Sequence, residues 1–121
     1  MKKTIVIGAS PETSRYSNLV CRMLNNAGFE FVPVGIKRGE IQGRSIMDLR
    51  DKPSIDNVHT VSIYLNPKNQ KEWYNYILSL KPKRLIFNPG TENPELGELA
   101  EKKGIVSEYA CNLVLIQTGQ F

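Results

Sequence analysis

The residues best suited to chemistry stand together near the start of the chain, where glycine and alanine precede hydroxyl side chains and an arginine: Gly8, Ala9, Ser10, Thr13, Ser14, Arg15 and Ser17. Glycine and alanine let a ligand approach the backbone closely, and hydroxyl groups can cap a helix or bind a phosphate. The N–H groups and positive dipole end of a helix beginning here would favour an anion, to which Arg15 adds a charge-assisted contact. The same residues also suit a plain helix cap, so this stretch alone supports both interpretations equally.

Other familiar nucleotide sites fit the sequence poorly. After Gly8 the second and third glycines of the dinucleotide motif G-x-G-x-x-G are missing. Val34 and Gly35 stand where an acidic residue would hold the ribose of NAD. No phosphate loop of the form G-x-x-x-x-G-K-S/T occurs. The sequence therefore disfavours NAD and P-loop chemistry.

Metal and disulfide sites are not expected either. His59 is the one histidine, which excludes a histidine-rich cluster, and no acidic cluster stands out. Cys21 and Cys111 are far apart and form no C-x-x-C pair, so we predict two reduced, unpaired thiols.

Composition narrows the class of protein further. A chain of 121 residues with 40% hydrophobic and 23% charged residues is typical of one globular domain, residues 1–121. The formal net charge is +4, but the basic residues are scattered, which suits an anionic small molecule better than nucleic acid. No secretory start and no apolar segment of membrane length occur. We therefore predict a cytoplasmic protein that contacts neither nucleic acid nor membrane.

Apolar runs alternate with helical periods, which indicates a parallel sheet covered by helices. The predicted strands are residues 4–8, 29–34, 58–65 and 84–87 and one beginning at residue 105; helices follow the first, third and fourth strands. Asn66-Pro67 and Asn93-Pro94 are typical helix starts, and Gly28 and Gly104 are typical helix ends. Residues 35–57 are predicted to be a long surface loop with a helical turn near residues 45–49. Residues 113–116 suit an added strand or a contact surface.

These elements predict an α/β fold: a Rossmann-like, doubly wound, mainly parallel five-stranded sheet in the order 3-2-1-4-5. Ligands of such sheets bind beyond the carboxyl ends of the strands, where the strand order reverses. That rule selects the turn after the first strand, the loop after the second and the turn after the fourth.

Several short motifs occur in a fixed order along the chain: residues 6–10, 14–17, 28–34, 40–43, 62–64, 66–67, 89–93 and 104–106, and Cys111. In order and spacing they resemble the small stand-alone CoA-binding domain proteins, which are similar to the N-terminal domain of the succinyl-CoA synthetase alpha subunit. Two loops depart from the family pattern. Gly35-Ile36 replaces Asn-Pro after the second strand, and Asn88-Pro89 replaces the glutamine after the fourth strand.

The resemblance implies a set of cofactor-binding residues. The first turn and helix start would hold phosphate, a role carried over to Gly8, Ala9, Ser10, Ser14, Arg15, Tyr16 and Ser17. Residues at the end of the second strand would meet the nucleotide end, namely Val34, Lys37 and Arg38. Two further turns would line the rest of the cofactor, namely Leu65, Asn66 and Pro67, and Asn88, Pro89 and Gly90.

The function that the resemblance implies is non-catalytic binding of coenzyme A or an acyl-CoA, in a sensor or accessory protein. The chain has no room for the second domain and ATP-grasp partner of the synthetase. Two alternatives stay open. One is a small enzyme acting on acyl-CoA or another nucleotide through Cys111 or His59. The other is a protein-interaction domain that has lost its ligand and binds itself or an unknown partner.

Overall fold

Runs rich in β-branched residues form the centre of one parallel sheet in the computed structural model, which describes residues 2–121. The strands are β1 (Thr4–Ile7), β2 (Phe31–Gly35), β3 (Glu40–Ile41), β4 (Arg44–Ser45), β5 (Met47–Asp48), β6 (Thr60–Ile63), β7 (Arg84–Phe87) and β8 (Val106–Tyr109). The helices are α1 (Tyr16–Asn26), α2 (Pro67–Gln70), α3 (Tyr74–Ser79), α4 (Pro94–Lys102) and α5 (Asn112–Gln117). Short 3-10 helices lie at Leu49–Asp51 and Lys71–Trp73.

The sheet separates two apolar cores, because successive side chains of a strand point to opposite faces. Ile5 and Ile7 of β1 belong to the core that α3 and α4 cover, whereas Val6 belongs to the core under α1 and α5. The predicted Rossmann-like α/β class is therefore confirmed. Among residues 2–121, no helix combines the length and apolar character needed to cross a membrane.

Strand number and order differ from the predicted five-stranded 3-2-1-4-5 arrangement. The sheet has six strands in the order β5-β2-β1-β6-β7-β8. β6, expected beside β2, pairs in parallel with β1 instead. The place beside β2 is taken by β5, which pairs Met47 with Val34. β5 has two residues and no buried run, so periodicity did not distinguish it from the loop around it.

The loop after β2 has more structure than predicted. β3 and β4 pair as an antiparallel hairpin, with Gln42 and Gly43 at positive φ in its two-residue turn. The helical turn predicted near residues 45–49 lies at Leu49–Asp51, where the Asp48 side chain accepts from the Arg50 N–H. The tail forms helix α5 rather than a strand and packs on α1.

The predicted helix ends are confirmed. Asn66 and Asn93 cap α2 and α4 through their side chains, and proline follows each cap. Gly28 and Gly104 have positive φ just past α1 and α4.

Cys21 and Cys111 are both free thiols, and burial raises the pKa of Cys21 to about 12.

His59 precedes β6, and its surroundings predict that stability depends on pH. Its Nδ1 lies 2.8 Å from the Thr60 hydroxyl. Burial first, then the charges of Arg84, Lys2 and Lys83, lower its pKa below the ordinary 6.5. The unfolded chain therefore binds a proton at His59 more readily than the folded chain does. The stability that neutral His59 contributes is complete above its unfolded pKa and is lost as pH falls through its folded pKa.

We expect the free energy of unfolding to fall more steeply below about pH 6.5 in the wild type than in His59→Gln. Urea denaturation from about pH 7.5 to 5 measures the free energy of unfolding of both proteins. The carboxylates are the same in the two proteins, so their titration cancels when the two curves are subtracted. Parallel curves for the two proteins would contradict the prediction.

Candidate functional site

The carboxyl ends of five strands, β1, β2, β5, β6 and β7, meet around a cleft of about 560 Å³. Most residues that the sequence selected line it: Gly8, Ala9, Ser10, Ser14, Arg15, Tyr16, Ser17, Lys37, Leu65, Asn66, Pro89 and Gly90. Val34, Arg38, Pro67 and Asn88 do not line it. The cleft also has walls that sequence reasoning missed: Gly35, Ile36, Leu49, Tyr64 and Thr91.

Two glycines let the strand ends come close enough to form the floor of the cleft. Gly8 has φ +93°, and a Cβ there would lie 3.0 Å from the backbone of Tyr64. A Cβ on Gly35 would lie only 2.3 Å from the Ala9 carbonyl oxygen. The N–H groups of Gly8 and Ala9 both donate to the Val34 carbonyl, at 2.9 and 3.1 Å. Val34 is therefore a structural part of the floor rather than a wall, and these two N–H groups are already occupied.

The first turn of α1 distinguishes between the two interpretations of the hydroxyl-rich stretch. Arg15 occupies the N-cap position, and its side chain makes no capping hydrogen bond. The Ser10 hydroxyl instead accepts from the Glu12 N–H at 3.2 Å, within the preceding turn. No hydroxyl group caps α1 in the described chain, so the Tyr16 and Ser17 N–H groups are open to an anion, whereas the Asn18 N–H donates to the Arg15 carbonyl at 3.1 Å.

Two cations stand at the mouth of the cleft beside one carboxylate. Arg15 Nε lies 3.5 Å from Glu12 Oε2, and Lys37 Nζ lies 3.2 Å from Glu12 Oε1. These side chains are half exposed or more. The pKa of Glu12 is lowered, mainly by Lys37. A ligand phosphate would therefore compete with Glu12 for both cations.

Asn88 does not line the cleft itself but supports it from below. Its Nδ2 donates to Ser62 Oγ at 2.9 Å and to the Ile63 carbonyl at 3.0 Å. Its Oδ1 accepts from the Asn112 N–H at 2.8 Å. With 2% of its surface exposed, Asn88 joins the ends of β6 and β7 to the start of α5.

Gln70 is a second buried brace, and sequence reasoning missed it. Its Nε2 donates to the carbonyls of Leu65 and Thr91, both at 2.8 Å, and its Oε1 accepts from Asn93 Nδ2 at 2.9 Å. It thereby holds the wall after β6 to the wall after β7. A glutamine on a short polar helix is typical of the surface, so no sequence signal marked it.

A larger groove of about 710 Å³ lies at the opposite edge of the sheet, between residues 52–59 and the end of α3. His59 lies there, on the chain entering β6. The carboxyl-terminal end of a helix carries the negative end of its dipole, which disfavours an anion. Parallel sheets also bind ligands at the other edge. We therefore regard the cleft above α1 as the candidate site.

A Rossmann-like domain with a ligand-sized cleft at its carboxyl edge is the class that this geometry defines. The family model described as a CoA binding domain matches residues 2–117, so the chain belongs to the CoA binding domain family. No curated protein matches.

Solved structures agree with this class. A crystal structure of an uncharacterized protein is 52% identical, with a TM-score of 0.96 over 100% of this chain and 98% of that one. A hypothetical protein from Pyrococcus horikoshii OT3 is 27% identical, with a TM-score of 0.82 over 97% of this chain and 82% of that one. A conserved hypothetical protein from Pyrococcus furiosus is also 27% identical, with a TM-score of 0.81 over 94% and 98%.

Proposed function

We propose that this chain is a non-catalytic module that binds coenzyme A or an acyl-CoA in the cleft above α1, as a sensor or accessory protein. The observation that carries the proposal is the open first turn of α1 at a cleft that also holds Arg15 and Lys37. Coenzyme A presents a pyrophosphate and a ribose phosphate, which such N–H groups and cations recognise. The cleft volume lies in the range of ligand pockets.

The cleft walls support binding rather than turnover. The side chains that line the cleft are hydroxyl, amide, apolar and cationic groups. His59 lies at the other edge of the sheet, and Cys111 lines a smaller adjoining cavity whose other lining residues are tyrosine, asparagine, proline and leucine, with no base beside the thiol. General acid–base catalysis needs a positioned group within hydrogen-bond reach of the reacting atoms.

The test is isothermal titration with coenzyme A and with its dephospho form. We expect Arg15→Ala and Lys37→Ala each to weaken binding of coenzyme A by roughly tenfold, because each removes a hydrogen bond to a charged group. Glu12→Gln should instead tighten binding by roughly threefold, because it frees both cations. Lys102→Ala is the matched control, since Lys102 is exposed on α4 outside the cleft.

Raised salt should weaken binding to the wild type, because partly exposed charges are screened. Equal affinity for the two ligands, with no effect of either cation, would contradict phosphate recognition. Failure to bind either ligand, together with stable oligomers in size-exclusion chromatography, would favour the protein-interaction alternative. Turnover of an acyl-CoA that disappears in Cys111→Ala would favour the enzyme alternative.

A further inference from the structure

A second cavity adjoins the cleft above α1, and we refer to it as the terminal cavity. It has a volume of about 300 Å³ and is lined by Tyr16, Tyr64, Asn88, Pro89, Cys111 and Leu113. Tyr16, Tyr64 and Pro89 also line the cleft, so the two spaces lie side by side. Its surface is mostly carbon, whereas that of the cleft is mixed. The terminal cavity is thus an apolar space next to a polar one.

Helix α5 forms the far wall of the terminal cavity. Leu113 belongs to α5 and packs against the core under α1, and Cys111 immediately precedes the helix. Asn88 holds the start of α5 to the sheet through the Asn112 N–H. The wall is therefore fixed by a buried hydrogen bond and by apolar packing.

Tyr64 brings one unused polar group to this region. Its hydroxyl oxygen is buried and has no hydrogen-bond partner among residues 2–121. The Ser62 hydroxyl lies near enough to favour the phenolate slightly, but it makes no well-aligned bond to Tyr64 and already accepts from Asn88. Burial, with the nearby Cys111 and Cys21 thiols, raises the pKa of Tyr64 far above its ordinary range. The hydroxyl thus keeps its proton inside the wall that Tyr64 forms between the two spaces, where it is closed to a ligand.

We propose that the terminal cavity binds the acyl group of a short-chain acyl-CoA. This inference rests on the proposed function, because it places the nucleotide part of the ligand in the cleft. The free thiol of coenzyme A would leave most of about 300 Å³ of apolar space unfilled. A short hydrocarbon group would occupy part of it and bury apolar surface.

The first test is isothermal titration of the wild type with coenzyme A and its acetyl, butyryl and hexadecanoyl thioesters. Affinity should rise by roughly three- to fourfold for each buried methylene up to butyryl. It should fall for hexadecanoyl, whose chain exceeds the cavity. If coenzyme A binds and butyryl-CoA binds no tighter, this inference is wrong and the proposed function stands. If no ligand of the series binds, both are wrong.

Variants locate the acyl group. Leu113→Trp should fill the terminal cavity and abolish the preference for butyryl-CoA while coenzyme A still binds. Val114→Trp is the matched control, because Val114 is 49% exposed on the same helix and does not line the cavity. A preference that survives in Leu113→Trp would place the acyl group elsewhere and overturn the inference.

Thiol labelling gives an independent readout that does not depend on a variant. Cys111 lines the terminal cavity, whereas Cys21 is buried and its pKa is raised to about 12. We expect butyryl-CoA to slow N-ethylmaleimide labelling of Cys111 more than coenzyme A does at equal saturation, as measured by peptide mass spectrometry. Equal protection by the two ligands would contradict the inference.

Discussion

Replacing Gly35 with alanine should destabilise the fold by about 2–3 kcal/mol or more and abolish ligand binding. An added Cβ would lie 2.3 Å from the Ala9 carbonyl oxygen and 3.3 Å from the Ala9 carbonyl carbon and nitrogen. These are backbone atoms, which cannot rotate away as a side chain does. Because the Ala9 N–H bonds to the Val34 carbonyl, relief of the clash must move the turn that forms the floor of the cleft.

Chemical denaturation measures the stability loss, and titration with coenzyme A measures the binding loss. Gly97→Ala is the matched control, because Gly97 lies within α4 and its added Cβ would meet only the Ser107 hydroxyl, at 3.3 Å. Alanine is the better helix former, so this variant should be neutral or more stable by up to about 1 kcal/mol. A Gly35→Ala protein as stable as Gly97→Ala would contradict the prediction, because it would show that the turn after β1 can move at little cost in free energy.

The same contact explains one departure from the family pattern. The resemblance leads us to expect asparagine after Pro33-Val34, but in this chain Gly35 lies against Ala9. A side chain at position 35 would therefore require a different path for the turn after β1. The departure is compatible with a cleft at this place, since Gly35 itself lines it.

Asn88→Asp should destabilise the protein by about 3–4 kcal/mol near neutral pH, because it leaves a buried charge and unsatisfied partners. The substitution keeps the shape of the side chain but replaces the Nδ2 donor with an oxygen. That oxygen would face the Ile63 carbonyl, which Nδ2 contacts at 3.0 Å. Two acceptors then meet in a buried site, and the Ile63 carbonyl loses this donor.

The pH dependence of this variant follows from burial. A buried carboxyl beside a carbonyl has a raised pKa, so the folded state favours the protonated acid. The stability that the protonated carboxyl contributes in this variant should be fully present below the unfolded pKa of about 3.9. It should be lost as pH rises through the folded pKa. The deficit relative to wild type should therefore grow from acid to neutral pH.

Urea denaturation at several pH values measures the deficit. Asn75→Asp is the control, because Asn75 is exposed on α3 and should change stability by no more than about 0.5 kcal/mol. A stable Asn88→Asp protein with weakened coenzyme A binding would contradict the bracing role and favour the direct cofactor contact that the sequence predicts for Asn88.

The sequence by itself determined the parts of this protein that depend on near neighbours. Buried apolar runs predicted the strands around β1, β2, β6 and β7, because each run reports burial over a few consecutive residues. Asn66 and Asn93 were predictable as caps, because the side chain and the N–H that it satisfies are three residues apart. The position of the cleft followed from the rule for parallel sheets, since the selected turns all end strands.

Tertiary structure alone decided the features that join distant parts of the chain. β5 forms only because β2 offers it an edge, and Gln70 is buried only because two loops meet around it. The tight fit of Gly35 and the bracing role of Asn88 arise between residues that are 24 to 26 positions apart. The terminal cavity likewise depends on α5 packing beside β7. Such contacts leave no local pattern, because the burial of each group depends on chain segments that only folding brings together.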